Sequence, residues 1–165
     1  MMRLIATFGF VGHLRPAPGT WGSLAAVVLA VAAYELGLWW LVPVGCLLAT
    51  VAGFIAVPQV IATSTNKDPS EIVIDEVAGQ WLALCFTVIP LARHGVSILD
   101  AWPGYVVPFV LFRLFDIWKP WLVGRADRRG DAAGVMLDDL WAGLFAGVGS
   151  VILAGLYHAV LEPML

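Results

Sequence analysis

The chain alternates between five long apolar stretches and shorter segments that are polar or contain proline and glycine. Stretches of this length predict membrane helices, which we place at residues 22–36, 38–62, 77–92, 101–118 and 140–161. The first stretch is short for a span, because a helix rises only about 1.5 Å per residue, so a re-entrant helix is an alternative. We favour a helical hairpin with the second stretch, since Glu35 and Gly37 can form its turn.

Composition also places the chain in a bilayer. Its residues are 61% hydrophobic and 13% charged, with a mean hydropathy of +0.89, whereas soluble domains are about half apolar. The predicted fold class is therefore all-α, a polytopic membrane bundle of about five helices in which residues 1–165 form one domain. We expect no cleaved signal peptide, because polar residues interrupt the amino-terminal apolar run. Cys46 and Cys85 lie in apolar runs without CxxC spacing, so we interpret them as small apolar residues rather than a disulfide or metal pair.

If all five stretches cross, the basic residues divide unequally between the two sides of the membrane. One side has only Arg93, and the other has Arg3, Arg15, Lys67, Arg113, Lys119, Arg125, Arg128 and Arg129. The positive-inside rule predicts that the richer side is cytoplasmic. Tryptophans support two interfacial belts, with Trp21, Trp81, Trp118, Trp121 and Trp141 near this side and Trp39, Trp40 and Trp102 near the other. The net charge of −3 does not indicate a nucleic-acid partner, and we expect none.

Acidic residues stand directly against the apolar stretches, at Asp75–Glu76, Asp116 and Asp138–Asp139. An aspartate at the centre of a membrane helix costs about 2.5 to 3.5 kcal/mol, so such groups usually serve a function and have a partner. Both pairs precede a predicted span, with a small residue one turn further along. Favourable interaction with the helix dipole explains either acid of a pair but does not require both. Three independent helix caps on one predicted face are a poor explanation, and we expect a divalent cation.

Two further segments offer partners for a phosphate group. Residues 15–23 form a turn that leads into the first span, where Gly19, Thr20 and Ser23 could bind an anion at the helix amino terminus. The alternative is an ordinary turn that Thr20 or Ser23 caps. In residues 112–121, Arg113 and Asp116 are one helical turn apart and could form a simple ion pair. Alternatively, Asp116 binds a cation while Arg113 and Lys119 face a phosphate.

This set of residue types suits phosphoryl transfer with magnesium, which prefers oxygen ligands and is typically held by carboxylates and phosphate oxygens. His13, His94 and His158 are isolated, so a zinc site or a phosphohistidine is not expected. The chain has no Gly-x-x-x-x-Gly-Lys-[Ser/Thr] loop.

Four segments in order resemble the bacterial phosphatidylglycerophosphatase A family: APGTWGS at 17–23, IVIDEVAGQW at 72–81, FRLFDIWKPW at 112–121 and GVMLDDLWAG at 134–143. The resemblance implies magnesium-dependent removal of the terminal phosphate of phosphatidylglycerophosphate, which yields phosphatidylglycerol and inorganic phosphate. Together with the charge distribution, we expect this reaction at the cytoplasmic face of the bacterial inner membrane. Carried over by position, it implies metal and catalytic roles for Asp75, Glu76, Asp116, Asp138 and Asp139. It also implies phosphate binding by Arg113 and Lys119.

Other functions are weaker alternatives. A small transporter or ion-binding membrane protein would also contain acids, but here they gather at one predicted face and no inverted repeat is visible. A CDP-alcohol transferase would carry a DGxxAR signature, which is absent. A non-catalytic assembly subunit would tolerate loss of every acid. The residues do not choose between metal-activated water and a transiently phosphorylated aspartate as nucleophile.

Overall fold

The computed structural model describes residues 1–64 and 69–161, and within these ranges the chain is helical, with no β-strand. The helices are α1 (Met2–Ala6), α2 (Pro18–Glu35), α3 (Leu41–Thr63), α4 (Ile74–His94), α5 (Pro103–Trp118), α6 (Trp121–Asp127) and α7 (Ala132–Leu156). A 3-10 turn, Val11–His13, precedes α2, and a π-helical turn, Tyr157–Leu161, follows α7. The predicted all-α fold is confirmed. Lys67, one of the basic residues assigned above to the cytoplasmic side, lies outside the described residues.

Three segments in the described ranges are long and apolar enough to cross a membrane: α3, α4 and Ala132–Ala159, which contains α7. The other two predicted apolar helices are α2, with 18 residues, and α5, with 16. Large apolar side chains such as Leu47, Leu48 and Ile152 are more than half exposed on the outside of the bundle. An exposed apolar surface of this kind suits contact with lipid, and together with the three long apolar segments it indicates a membrane protein.

The short first stretch forms a complete arm of a hairpin. Helix α2 starts beside the amino terminus of α4, and near its other end the Tyr34 hydroxyl donates a hydrogen bond to the Val96 carbonyl, beyond the end of α4. The chain then turns at Gly37, which has a positive φ of 75° that glycine adopts readily, and α3 returns. The hairpin interpretation agrees with this path.

The predicted boundaries miss the start of the last helix, which begins at Ala132 rather than at residue 140. Asp131 caps this helix, because its Oδ1 accepts a hydrogen bond from the Gly134 amide at 2.7 Å. Hydropathy detects the apolar run that follows Asp138 and Asp139, but this acidic pair separates that run from the first turns of the helix. The prediction that Asp138–Asp139 opens the helix is therefore wrong, and the pair lies within α7.

Helix α4 lies at the centre of the bundle and packs against α2, α3, α5 and α7. Half of its most apolar stretch is buried inside the protein, compared with 28% for α3. One of its residues corrects the predicted tryptophan belts: Trp81 is half-buried, and its Nε1 donates a hydrogen bond to the Ala26 carbonyl at 2.9 Å. Trp81 therefore joins α4 to α2. Cys46 and Cys85 are free, half-buried thiols.

Candidate active site

The two acidic pairs meet because α4 and α7 cross at a pair of glycines. A Cβ atom on Gly79 would collide with the backbone carbonyl of Asp139, and one on Gly143 would collide with the backbone carbonyl of Gly79. Glycine permits this backbone approach because it has no side chain. Each glycine follows its acidic pair by about one helical turn, so the crossing brings Glu76 and Asp139 to the same level.

Three carboxylates form a cluster at this crossing: Asp75, Glu76 and Asp139 each offer an oxygen, and these oxygens lie within 4.8 Å of one another. Asp75 and Asp139 are buried, with 6% and 4% of their surfaces exposed. The Glu76 Oε2 and Asp139 Oδ1 atoms are buried without a hydrogen-bond partner in the described part of the chain. Buried carboxylates so close together repel one another unless a cation or protons neutralise them. The donor set therefore fits a hard divalent cation such as magnesium.

The neighbouring basic side chains bind other acids. Arg113 Nη1 lies 2.6 Å from Asp116 Oδ2, and Lys119 Nζ lies 3.0 Å from Asp138 Oδ2 and also contacts Asp127. Burial lowers the pKa of Lys119, but its hydrogen bonds to Asp127 and Asp138 outweigh this effect, so the pKa is raised and the ammonium stays charged. The ion pair predicted as an alternative for Arg113 and Asp116 does form.

All these groups line one cavity of about 440 Å³. Its ionisable lining residues are Asp75, Glu76, Asp116, Asp127, Asp131, Asp138, Asp139, Arg113 and Lys119. Among the residues that the structure describes, seven carboxylates thus line the cavity together with two basic groups, and this excess of negative charge favours binding of a cation. The volume lies within the usual range for small-molecule sites, about 300 to 1,000 Å³. The structure brings together every acid that the sequence predicts for the site.

Of the three predicted phosphate-binding residues of α2, only Gly19 lines the cavity. A Cβ atom on this glycine would collide with the Glu76 carboxylate. Ser23 is fully buried behind it, donating to the Gly19 carbonyl at 2.8 Å and accepting a hydrogen bond from Arg113 Nη1 at 3.4 Å. Thr20 is not among the cavity-lining residues, and its role stays a prediction.

The helix-cap alternatives do not explain most of these residues. Helix α2 begins after Ala17 without a side-chain cap, so the interpretation of Thr20 or Ser23 as its cap is wrong. Asp138 and Asp139 lie inside α7, where they cannot cap it. Only Asp75 and Glu76 occupy a first turn, that of α4, where a favourable interaction with the helix dipole remains.

Sequence reasoning missed three polar residues near the site. Asp127 and Asp131 line the cavity. Neither lies next to a long apolar stretch, and that position is what singled out the other acids in the sequence. Gln80 is fully buried, and neither its Oε1 nor its Nε2 has a partner in the described ranges. It follows Glu76 by one turn of α4, and that spacing was a signal that could have placed it near the site.

Comparison with known proteins identifies the family. The phosphatidylglycerophosphatase A family matches residues 4–154. The chain belongs to this family. Phosphatidylglycerophosphatase A of Haemophilus influenzae is 32% identical over 136 residues, 82% of this chain and 77% of that protein. Phosphatidylglycerophosphatase A of Escherichia coli is 32% identical over 140 residues, 84% of this chain and 75% of that protein.

A third relative carries a different name. A Bacteroides thetaiotaomicron protein, provisionally named phosphatidylinositol-3-phosphatase, is 36% identical over 149 residues, which is 87% of each chain. No solved structure matches the chain significantly. The family match confirms the resemblance on the four motifs and makes the protein a member of a phosphatase family.

Proposed function

We propose that the protein removes the terminal phosphate of phosphatidylglycerophosphate in a magnesium-dependent hydrolysis at the cytoplasmic face of the bacterial inner membrane. In the net reaction, water adds to the terminal phosphorus, its bond to the glycerol oxygen breaks, and that oxygen gains a proton. The products are phosphatidylglycerol and inorganic phosphate. Membership of the phosphatidylglycerophosphatase A family supports the reaction class.

The single observation that carries the proposal is the cluster of Asp75, Glu76 and Asp139. These three carboxylates form no ion pair with a basic side chain in the described ranges, and their cavity also contains Arg113 and Lys119. A phosphatase site needs groups that hold a cation and groups that bind phosphate, and the cavity has both. When bound, magnesium would supply Lewis-acid polarisation of the phosphate. The three carboxylates would hold it.

Arg113 is the best candidate for orienting the phosphate. Its Nη1 contacts Asp116 and Ser23, and the side chain lines the cavity, where its guanidinium group can donate to a phosphate oxygen. Lys119 adds a second positive charge at the cavity wall. Because its hydrogen-bond partners already hold each side chain in place, the two can stabilise negative charge that develops on the phosphate without having to reorganise.

The proposed orientation rests on the distribution of basic residues. Arg3 and Arg15 bind Glu71 and Ser70, near the start of α4, and therefore lie at the same end of the bundle as the cavity. Arg93 lies near the other end of α4. The positive-inside rule then favours a cavity that faces the cytoplasm, where a lipid in the inner leaflet can present its headgroup.

The decisive experiment measures phosphate release by the purified protein from phosphatidylglycerophosphate and from phosphatidylinositol 3-phosphate, with magnesium, after chelation, and after magnesium is restored. We expect turnover of the first lipid only when magnesium is present. Asp139→Asn should reduce this turnover about a hundredfold or more, whereas the matched change Asp100→Asn, on an exposed loop beyond α4, should not reduce it. Full turnover without metal would overturn the cation assignment. Preference for the inositol lipid would overturn the substrate assignment.

Orientation has its own test, in a background that lacks Cys46 and Cys85. A cysteine at Arg128, exposed beside the cavity, should be protected from an impermeant thiol reagent in intact cells. One at Asp100 should react. The reverse pattern would place the cavity on the opposite side of the membrane.

A further inference from the structure

A second cavity, of about 250 Å³, lies on the other side of α6 from the candidate active site. Its lining residues are Leu122, Arg125, Ala126, Arg129, Leu137 and Trp141, and none of them lines the first cavity. We propose that this α6 groove binds an anionic phospholipid at the membrane surface, separate from the substrate. The proposal rests on membrane location and on the groove itself, and it is independent of the catalytic activity.

Helix α6 and the turn that follows it separate the two cavities, because their residues divide between them. Asp127 faces the active-site cavity, whereas Arg125 and Arg129, four residues apart, line the groove. Arg129 is half exposed and pairs with Asp131 at 3.0 Å. Arg125 is exposed and has no acidic partner in residues 1–64 and 69–161. A guanidinium without a counter-ion is a suitable partner for a lipid phosphodiester, which it can bind through two parallel hydrogen bonds.

The rest of the groove is apolar. Leu122 belongs to α6, while Leu137 and Trp141 belong to α7 and are half-buried. The Trp141 and Trp121 rings both pack against Phe145, with centroids 6.1 Å apart in each case. Trp141 is the member of this aromatic cluster that lines the groove together with Arg125 and Arg129.

The position of the groove favours a lipid over a soluble ligand. Trp118 ends α5 and is 69% exposed, and Trp121 begins α6 and is 78% exposed. Indole rings this exposed, between two apolar helices, are typical of the membrane interface. A soluble anion would contact the arginines but leave the apolar surface unused. A phospholipid with a negative headgroup would contact both the arginines and the apolar surface. Basic pockets between membrane helices commonly bind lipids of this kind.

The test measures lipid binding to the purified, delipidated full-length protein by native mass spectrometry, with phosphatidylglycerol, phosphatidylcholine or inorganic phosphate as probe. We expect phosphatidylglycerol to be retained at least tenfold better than phosphatidylcholine. Arg125→Gln should reduce this retention at least fivefold. The control Arg128→Gln removes another exposed charge, three residues further along and outside the groove, and should have little effect. Melting temperatures should confirm that both variants remain folded.

Two further variants distinguish lipid binding in the α6 groove from lipid binding in the active-site cavity. Leu122→Ser should weaken phosphatidylglycerol binding without creating phosphate binding, since it alters only the apolar wall. Arg113→Gln should leave phosphatidylglycerol binding intact, because Arg113 belongs to the other cavity. If Arg113→Gln abolished binding and Arg125→Gln did not, the lipid would occupy the active site and the proposal would be overturned. Equal losses for Arg125→Gln and Arg128→Gln would indicate diffuse surface charge and would also refute it.

Discussion

The acidic pairs of α4 and α7 have nearly the same local sequence pattern but different surroundings. In each pair the first aspartate accepts a hydrogen bond from the next amide, Asp75 from Glu76 and Asp138 from Asp139, both at 3.0 Å. The α4 pair contributes both of its carboxylates to the three-acid cluster. The α7 pair contributes only Asp139, because Asp138 is bound to Lys119.

This difference shows that the pattern alone does not assign roles to its members. Two adjacent acids on a helix point about 100° apart, so neighbouring helices determine what each one meets. Lys119, which lies beyond the end of α5, neutralises Asp138, and no basic side chain does so for Asp139 in the described residues. We therefore infer that Asp139 holds the cation more directly, while Asp138 mainly positions Lys119.

The largest expected effect separates these two aspartates. Asp139→Asn should reduce turnover on the order of a hundredfold or more, or about 2.7 kcal/mol of transition-state stabilisation, because it removes a charge from the cluster. Asp138→Asn should cost roughly tenfold, about 1.4 kcal/mol, since Lys119 keeps Asp127 as a partner. Steady-state phosphate release from folded, membrane-inserted protein is the measurement. Equal losses in the two variants would contradict the proposed division of roles.

The glycine crossing should matter for both stability and activity. Gly143→Ala would force a methyl group against the Gly79 carbonyl, and overpacking of this kind costs about 1 to 3 kcal/mol. Because the crossing also aligns the two acidic pairs, turnover should fall as well. Gly155→Ala is the matched control on the same helix, since a Cβ atom there has no neighbour within 4 Å. Thermal unfolding in detergent should show a loss for the first variant and little change or a gain for the second.

A smaller effect is expected at Lys119. Lys119→Gln should weaken substrate binding and reduce kcat/KM roughly tenfold, or about 1.4 kcal/mol, because a basic group that lines the cavity is lost. Lys119→Arg should restore part of this activity, since it retains the charge. The kinetic parameters of both variants provide the measurement. An unchanged kcat/KM in Lys119→Gln would show that Lys119 only compensates the charge of the acids.

The smallest effect concerns the capping residue of α7. Hydrogen bonds from Arg129 and the Gly134 amide lower the pKa of Asp131 below its ordinary value of 3.8. Because the folded-state pKa is the lower one, its stabilising contribution is present above pH 3.8 and is lost as the pH falls through the folded value. Asp131→Ala should therefore lower the melting temperature slightly at neutral pH, and Asp131→Asn less. If the melting temperatures of the protein and of Asp131→Ala still differed at a pH below the folded-state pKa of Asp131, the charged carboxylate would not be the source of the stabilisation.

The sequence by itself determined the fold class and the chemical groups of the site. Long apolar runs require helices in a bilayer, because backbone groups in hydrocarbon must be satisfied within the segment, and this predicted all five hydrophobic helices. Acids beside those runs identified Asp75, Glu76, Asp116, Asp138 and Asp139, all of which line one cavity. These patterns depend only on neighbouring residues, so one amino-acid sequence is enough to recognise them.

Only the tertiary structure decided which acids meet and which are neutralised. The contact of Gly79 with Gly143 joins segments more than sixty residues apart, and hydropathy carries no information about that crossing. The start of α7 depends on the cap at Asp131, which hydropathy does not detect either. Lys119 meets Asp127 and Asp138 because the chain turns back after α5. These features arise from contacts between helices, and no local pattern specifies them.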